Sequence, residues 1–226
     1  MRLGVLFSGG KDSTLALHMA AKKESVVCLI TVVSANKESY MFHTPNIDVT
    51  ALQGEALGLP LVSVSTAGKK EEELSDLEHA IAEAKHRYGI EGIVTGAVES
   101  VYQASRVQRI CSRLDLWQFN PLWKTDQKAL LETLLSKNFQ VIVSGVFAYP
   151  LDQSWLGKTL SVDMIARLVE LQDKYGISPS GEGGEIETTV LDAPMFRKKI
   201  EVTDSEVQWQ GDSGTYVIKQ ARLAPK

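Results

Sequence analysis

Three groups of residues have the types and spacing that chemistry requires. The first is Ser8-Gly9-Gly10-Lys11-Asp12-Ser13, set between an apolar run, Leu3–Phe7, and a helical pattern carrying Leu15, Leu17, Met19 and Ala20. A strand, a glycine turn and a helix start aim backbone N–H groups at one point, which is how main chain binds a phosphate. Gly9 and Gly10 permit the turn and admit a bulky anion to the backbone, and the Ser8 and Ser13 hydroxyls add donors. The string is not the usual mononucleotide loop, which has Ser or Thr directly after its lysine. Nor is it the dinucleotide fingerprint, which needs a third glycine. Asp12 would repel a phosphate unless a cation stood between them, so its presence predicts Mg²⁺ bridging carboxylate and phosphate oxygens. The plain alternative, Asp12 or Ser13 capping an ordinary helix, explains one residue and not the string.

The second group, Thr95 to Arg106, follows another apolar run, Gly92–Thr95. In a parallel sheet the ends of neighbouring strands meet, so Gly96 is expected beside the first loop, where nucleotide can pass close to backbone. Tyr102, Arg106 and Arg109 fall at i, i+4 and i+7, on one helix face. Arg106 can then grip a phosphate or carboxylate with its planar fork; an amphipathic surface helix is the competing reading. The third group is Gly181-Glu182-Gly183-Gly184-Glu185-Ile186-Glu187-Thr188. Three carboxylates in six residues repel one another, and glycines cost entropy on folding. Such a segment, read here as a loop, makes sense if it wraps a cation or accepts hydrogen bonds from a substrate.

The elements that must position these groups alternate in the first half. Strand-like runs at Leu3–Phe7, Val26–Val33, Leu61–Val64 and Gly92–Thr95 are separated by helical patterns at Lys11–Lys23, Ile47–Leu57 and Glu71–Tyr88. Right-handed crossovers turn that alternation into an α/β fold, a doubly wound parallel sheet with the glycine loop at the carboxyl end of its first strand. After Trp123 the pattern changes. Helices at Thr125–Lys137 and Val162–Lys174 flank a strand at Gln140–Val146, and two or three strands close the chain, with a hairpin around Gly211-Asp212-Ser213-Gly214. This reads as a smaller α+β domain, dividing the chain into 1–124 and 125–226.

Composition narrows the partners. The chain has 226 residues, 44% apolar, enough for a substantial core. Its longest apolar run, Val26–Val33, is too short to span a bilayer, and Met1-Arg2 leads straight into a strand, so neither membrane nor signal peptide is expected and a cytoplasmic location is. Net charge is −4 and the pI near 5.6. That balance argues against gripping a nucleic-acid backbone, and the basic clusters at 22–23, 69–70 and 197–199 read as solvated element ends. Cys28 and Cys111 have no metal-ligand spacing and read as buried thiols.

Ser-Gly-Gly-Lys-Asp-Ser after a first strand resembles the pyrophosphate loop of the N-type ATP pyrophosphatases, which cleave ATP between the α and β phosphates. That resemblance implies an adenine nucleotide α hydrolase-like (HUP-type) sheet. Further strings narrow it: Tyr40 to Asn46, which includes His43; Gly96, Tyr102, Gln103 and Arg106; Leu156-Gly157-Lys158-Thr159-Leu160; and Gly181 to Glu185 with Glu187, Thr188 and then Asp192 to Phe196. In this order, over nearly the whole chain, they resemble the diphthine–ammonia ligases in their compact, archaeal-type form. The resemblance implies that ATP adenylates the carboxylate of diphthine on elongation factor 2 and that ammonia displaces AMP to give diphthamide. It implies ATP with Mg²⁺ at Ser8–Ser13 and Gly96. It implies substrate contacts from His43, Tyr102, Gln103, Arg106, Gly183, Gly184 and Thr188, and catalytic roles for Asp12, Lys158, Glu182, Glu185 and Glu187. The glutamates can hold the trimethylammonium of diphthine, with an aromatic face such as Tyr102 or Trp155, or bind ammonium and take its proton. A homodimer is compatible with these features. Two other readings stay open: an adenylating enzyme acting on tRNA or on a small carboxylate or carbonyl substrate, and a non-catalytic ATP- or AMP-binding domain.

Overall fold

The computed structural model describes residues 1–36, 45–68 and 72–226. The first half forms β1 (Arg2–Leu6), α1 (Lys11–Ala21), β2 (Ser25–Ser34), α2 (Val49–Leu57), β3 (Leu61–Thr66), α3 (Glu72–Tyr88), β4 (Gly92–Val94), α4 (Val101–Arg113) and β5 (Trp117–Phe119). The strands pair in parallel in the order β3-β2-β1-β4-β5. Successive residues of a strand face opposite sides, and the packing follows that rule. Leu3, Val5 and Leu29 meet Leu15 and Leu17 of α1 and Ala56 and Leu57 of α2. On the other face Cys28, Ile30 and Ile93 meet Leu77 and Ile81 of α3 and Val107 and Ile110 of α4. The sheet is therefore doubly wound, as its alternation predicts. The chain builds outward from β1 to β3, then crosses to β4 on the other side of β1. The switch point lies between β1 and β4, where such sheets open a crevice at their carboxyl ends.

The second half forms α5 (Gln127–Ser136), β6 (Gln140–Val146), α6 (Val162–Tyr175), β7 (Ile186–Asp192), β8 (Lys199–Gln210) and β9 (Ser213–Ala224). Its strands make an antiparallel sheet in the order β7-β6-β9-β8. Helix starts obey local chemistry: the Asp126 carboxylate accepts from Ala129 N–H at 2.8 Å and the Ser161 hydroxyl from Met164 N–H at 3.2 Å. The two sheets share one core. Val141, Val143, Ile186 and Val190 of the second sheet join the cluster that contains α1 and α2, and α1 touches β7 while α2 touches β8 and β9. Those two helices thus lie between the sheets.

Two local expectations need correction, and one strand is additional. The closing hairpin turns on Gly211-Asp212 alone, because Ser213 pairs with Gln210 and Gly214 with Trp209 as strand residues. The glutamate segment is a turn only as far as Glu185; Glu187 and Thr188 lie on β7, paired with Gly145 and Val143. β5, three residues long, was not anticipated from the alternation, since so short a run carries no period of its own.

Candidate functional site

The turn from β1 into α1 sits at the switch point. Gly9 takes a left-handed backbone, φ +77°, which only glycine adopts freely. The N-cap of α1, Gly10, offers no side chain to the helix. Instead the hydroxyl of Thr188, on β7, accepts from Lys11 N–H at 3.1 Å. Among the described residues the amides of Asp12 and Ser13 find no backbone acceptor, as first-turn amides of a helix do not. The Ser8 and Ser13 hydroxyls lie 3.2 Å apart. The carboxyl end of β4 closes in from the side: a Cβ on Gly96 would stand 2.7 Å from Ser13 N and 2.8 Å from the Asp12 carbonyl carbon. Only a residue without a side chain lets these two backbones approach so closely, and Gly96 stands where a parallel sheet should bring it.

Lys11 is buried, and its Nζ donates to Asp12 Oδ2 at 2.8 Å. Asp12 Oδ1 is buried with no hydrogen-bond partner among the described residues. A carboxylate oxygen left unsatisfied beside a phosphate-type cradle is the hard donor that a divalent cation takes.

Facing this loop is the glutamate segment. A cavity of about 360 Å³ is walled by Ser8, Gly10, Lys11, Asp12 and Ser13 on one side and by Gly181 to Gly184, Ile186, Glu187 and Thr188 on the other, with Thr95, Gly96, Ser100 and Gln103 between. Glu182 Oε2 accepts from Glu99 N–H at 3.1 Å, tying the turn to the start of α4. Burial, and then the Asp12 charge, push the Glu182 carboxyl above its ordinary range. Glu187 is pushed further, up to about 7: burial dominates, Asp12 and Glu182 add to it, and only Lys11 opposes. Two carboxylates on the cavity wall thus hold protons more tightly than carboxylates in water.

The structure sorts the remaining candidates. Gly183 and Gly184 are exposed at the cavity wall. Glu185 is not on that wall. Its Oε1 accepts from Ser178 N–H at 2.9 Å, folding the side chain back on its own turn. Gln103 lines the cavity, whereas Tyr102 and Arg106 pair with each other, the guanidinium carbon 3.3 Å from the ring centroid. Lys158 is exposed and off the wall, because residues 157–160 run as an extra rung along β6: Val143 N–H donates to Lys158 O at 3.0 Å and Leu160 N–H to Val141 O at 2.8 Å. His43 lies outside the described residues.

Sequence reasoning missed the apolar end of the cavity, Ile30, Val32, Leu77 and Val107, since apolar residues at strand ends and on helix faces read simply as core. It also missed the polar braces. Asn46 donates to Tyr216 O at 2.9 Å and accepts from Ile218 N–H at 2.8 Å, and Gln53, fully buried, bonds both Gly9 and Val190. Nothing in a single sequence marks a polar residue in the turn before a helix, or on the helix itself, as a brace.

The chain is similar to known proteins in both halves. Residues 1–118 match the diphthamide synthase N-terminal domain and residues 126–224 the diphthamide synthase C-terminal domain. A diphthine–ammonia ligase of Mus musculus is 38% identical over 99% of this chain and 91% of that protein. The diphthine–ammonia ligase of Homo sapiens is 37% identical over 92% of this chain and 85% of that one. A solved structure described as a predicted subunit of tRNA methyltransferase from Methanocaldococcus jannaschii overlays with a TM-score of 0.46 at 19% identity, covering 86% of this chain and 98% of that one.

Proposed function

This chain belongs to the diphthamide synthase family, and on that premise we propose that it amidates diphthine on elongation factor 2 with ATP and ammonia, releasing AMP and pyrophosphate. The observation that carries the reading is the cavity itself, where an anion cradle and two proton-retaining carboxylates share one set of walls.

The chemistry runs in two steps. A carboxylate is a poor acyl donor because its leaving group would be oxide. Its oxygen therefore attacks the α-phosphorus of ATP, the bond to the bridging oxygen breaks, and pyrophosphate leaves. Ammonia then attacks the acyl carbon, AMP leaves, and one proton must be removed from nitrogen. In the first step the unpaired amides at Asp12 and Ser13 and the Ser8 and Ser13 hydroxyls hold the phosphates, with buried Lys11 supplying positive charge. The apolar end at Ile30, Val32, Leu77 and Val107 suits a planar base. Asp12, through its unsatisfied Oδ1, would hold Mg²⁺ against the phosphate oxygens, where the ion would neutralise charge on departing pyrophosphate.

In the second step Glu187 takes the proton from nitrogen. A carboxyl raised to about 7 suits that role, since a general base works best when its pKa lies near the working pH. Glu182, nearer the glycine turn, balances the trimethylammonium of diphthine. Residues 1–124 thus serve the ATP half and residues 125–226 the acceptor half, with α1 and α2 between the sheets as their common support.

The test is a reconstituted reaction with ATP, Mg²⁺, ammonium and diphthine-bearing elongation factor 2, read by nucleotide chromatography and mass spectrometry of the modified histidine. AMP and pyrophosphate should form in step with the amide, and tRNA in place of the factor should yield no AMP. ADP and orthophosphate, or AMP without amide, would overturn the reading.

A further inference from the structure

β7, which carries Glu187, is the outer strand of its sheet, and an outer strand presents unpaired amides and carbonyls on one side. At Val190 both are taken by the first half of the chain. Val190 N–H donates to Gly9 O at 3.0 Å. The Gln53 amide nitrogen donates to Val190 O at 2.8 Å and to the same Gly9 O at 2.9 Å. One side chain on α2 therefore closes a ring between the phosphate-type loop and the carboxylate strand, three residues beyond Glu187.

Gln53 is fully buried, and its Oε1 has no hydrogen-bond partner among the described residues. Both its partners are carbonyls, so the nitrogen must face them and the oxygen is left over. A buried acceptor without a donor is destabilising; methionine or leucine would remove it but would leave Val190 O without its donor, so the amide exchanges one stranded oxygen for another and gains the tie between the two segments. The amide is better explained by what it holds than by stability. Gly9 has no room for a side chain there, because Gln53 Oε1 stands where its Cβ would be.

We propose that Gln53 is a positioning residue that fixes the Ser8–Ser13 loop in register with Glu187, so that the activated carboxylate is presented to the group that receives the proton from ammonia; this rests on the functional reading above. Misplacement by about 1 Å at a reacting centre can cost a hundredfold in rate, and Gln53 acts at the joint where such a shift would arise.

The test is a double-mutant cycle on amide formation in the full chain, with ATP affinity measured alongside. Gln53→Met should lower kcat for amidation by roughly 10- to 100-fold while ATP affinity stays within about threefold. In the Glu187→Gln background the same substitution should cost less than about threefold more, since the group it positions is already gone. Additive losses, or a proportionate loss of ATP affinity with kcat unchanged, would overturn the role. Should Gln53→Met fail to fold, Gln53→Asn keeps the amide but is one methylene too short to reach both carbonyls, and the same split is expected. A wild-type chain that forms no amide would overturn the functional reading together with this one, whereas an active wild type with an additive cycle would overturn this one alone.

Discussion

Residues 8–13 and 181–188 both set glycines beside charged side chains, yet the first segment carries its own counter-ion and the second does not. Lys11 donates to Asp12 within the loop, and the surrounding backbone presents N–H groups. The second segment contains no cation; Lys11 of the first opposes the shifts of Glu182 and Glu187, and both carboxyls are held high by burial and by Asp12. In the proposed reaction the first segment would hold the negative charge that ATP brings, and the second would receive the proton from nitrogen or balance a cation.

Substitutions in the two segments should separate their contributions, and the loss of AMP formation should be greatest at Asp12. Asp12→Asn keeps the size of the side chain and removes the charge. AMP formation should fall by about 10²- to 10³-fold, the scale for losing one charge-stabilising group, and the remaining rate should respond weakly to Mg²⁺; a Mg²⁺ titration of AMP release checks this.

The second prediction concerns stability. Folding raises the Glu187 pKa from 4.5 to about 7. Between those values the folded chain binds the proton more tightly than the unfolded chain, so stability falls as pH climbs through that window, and the penalty is complete above it. Glu187→Gln removes the penalty, so it should stabilise the protein above about pH 7 by up to about 3 kcal/mol and leave it unchanged near pH 4, as thermal denaturation at the two values would record. The reverse pH order would mean that Glu187 is stabilised as a charge.

A smaller effect is expected where the segments only touch through backbone. Gly96→Ala puts a Cβ against Asp12 and Ser13 main chain, and overpacking of that kind costs about 1–3 kcal/mol. Denaturant unfolding should show that loss, with ATP affinity falling in parallel. Smallest of all is Glu185→Gln. Its Oε1 holds Ser178 N–H, a bond that the amide oxygen can keep, so stability should change by no more than about 1 kcal/mol and amidation should fall far less than in Glu187→Gln.

The two segments also differed in how legible they were. The Ser8–Ser13 loop and its place at the head of a parallel sheet follow from residue types alone, because β-branched runs, helical periods and glycine turns are local signals. Gly96 followed too, since strand ends in a parallel sheet must converge. The glutamate segment was legible as chemistry but not as geometry. That Glu185 turns inward while Glu187 reaches the cavity depends on where β7 begins, which is decided by pairing with β6 some forty residues upstream. The place of Lys158 off the cavity wall was illegible for a similar reason: its string reads as a loop motif, yet its backbone completes the edge of β6. Gln53 and Asn46 brace segments distant in sequence, and a brace is visible only once both ends are in place.

If the two segments divide the reaction, single-turnover analysis of Glu187→Gln should separate its two halves. With labelled ATP and diphthine-bearing elongation factor 2, quenched samples report AMP transferred to the factor and amide formed on it. Adenylated factor should still appear at close to the wild-type rate, while its conversion to amide slows by about 10²- to 10⁴-fold, the range for losing a positioned base. Equal slowing of both steps, or amide formation at the wild-type rate, would contradict that division.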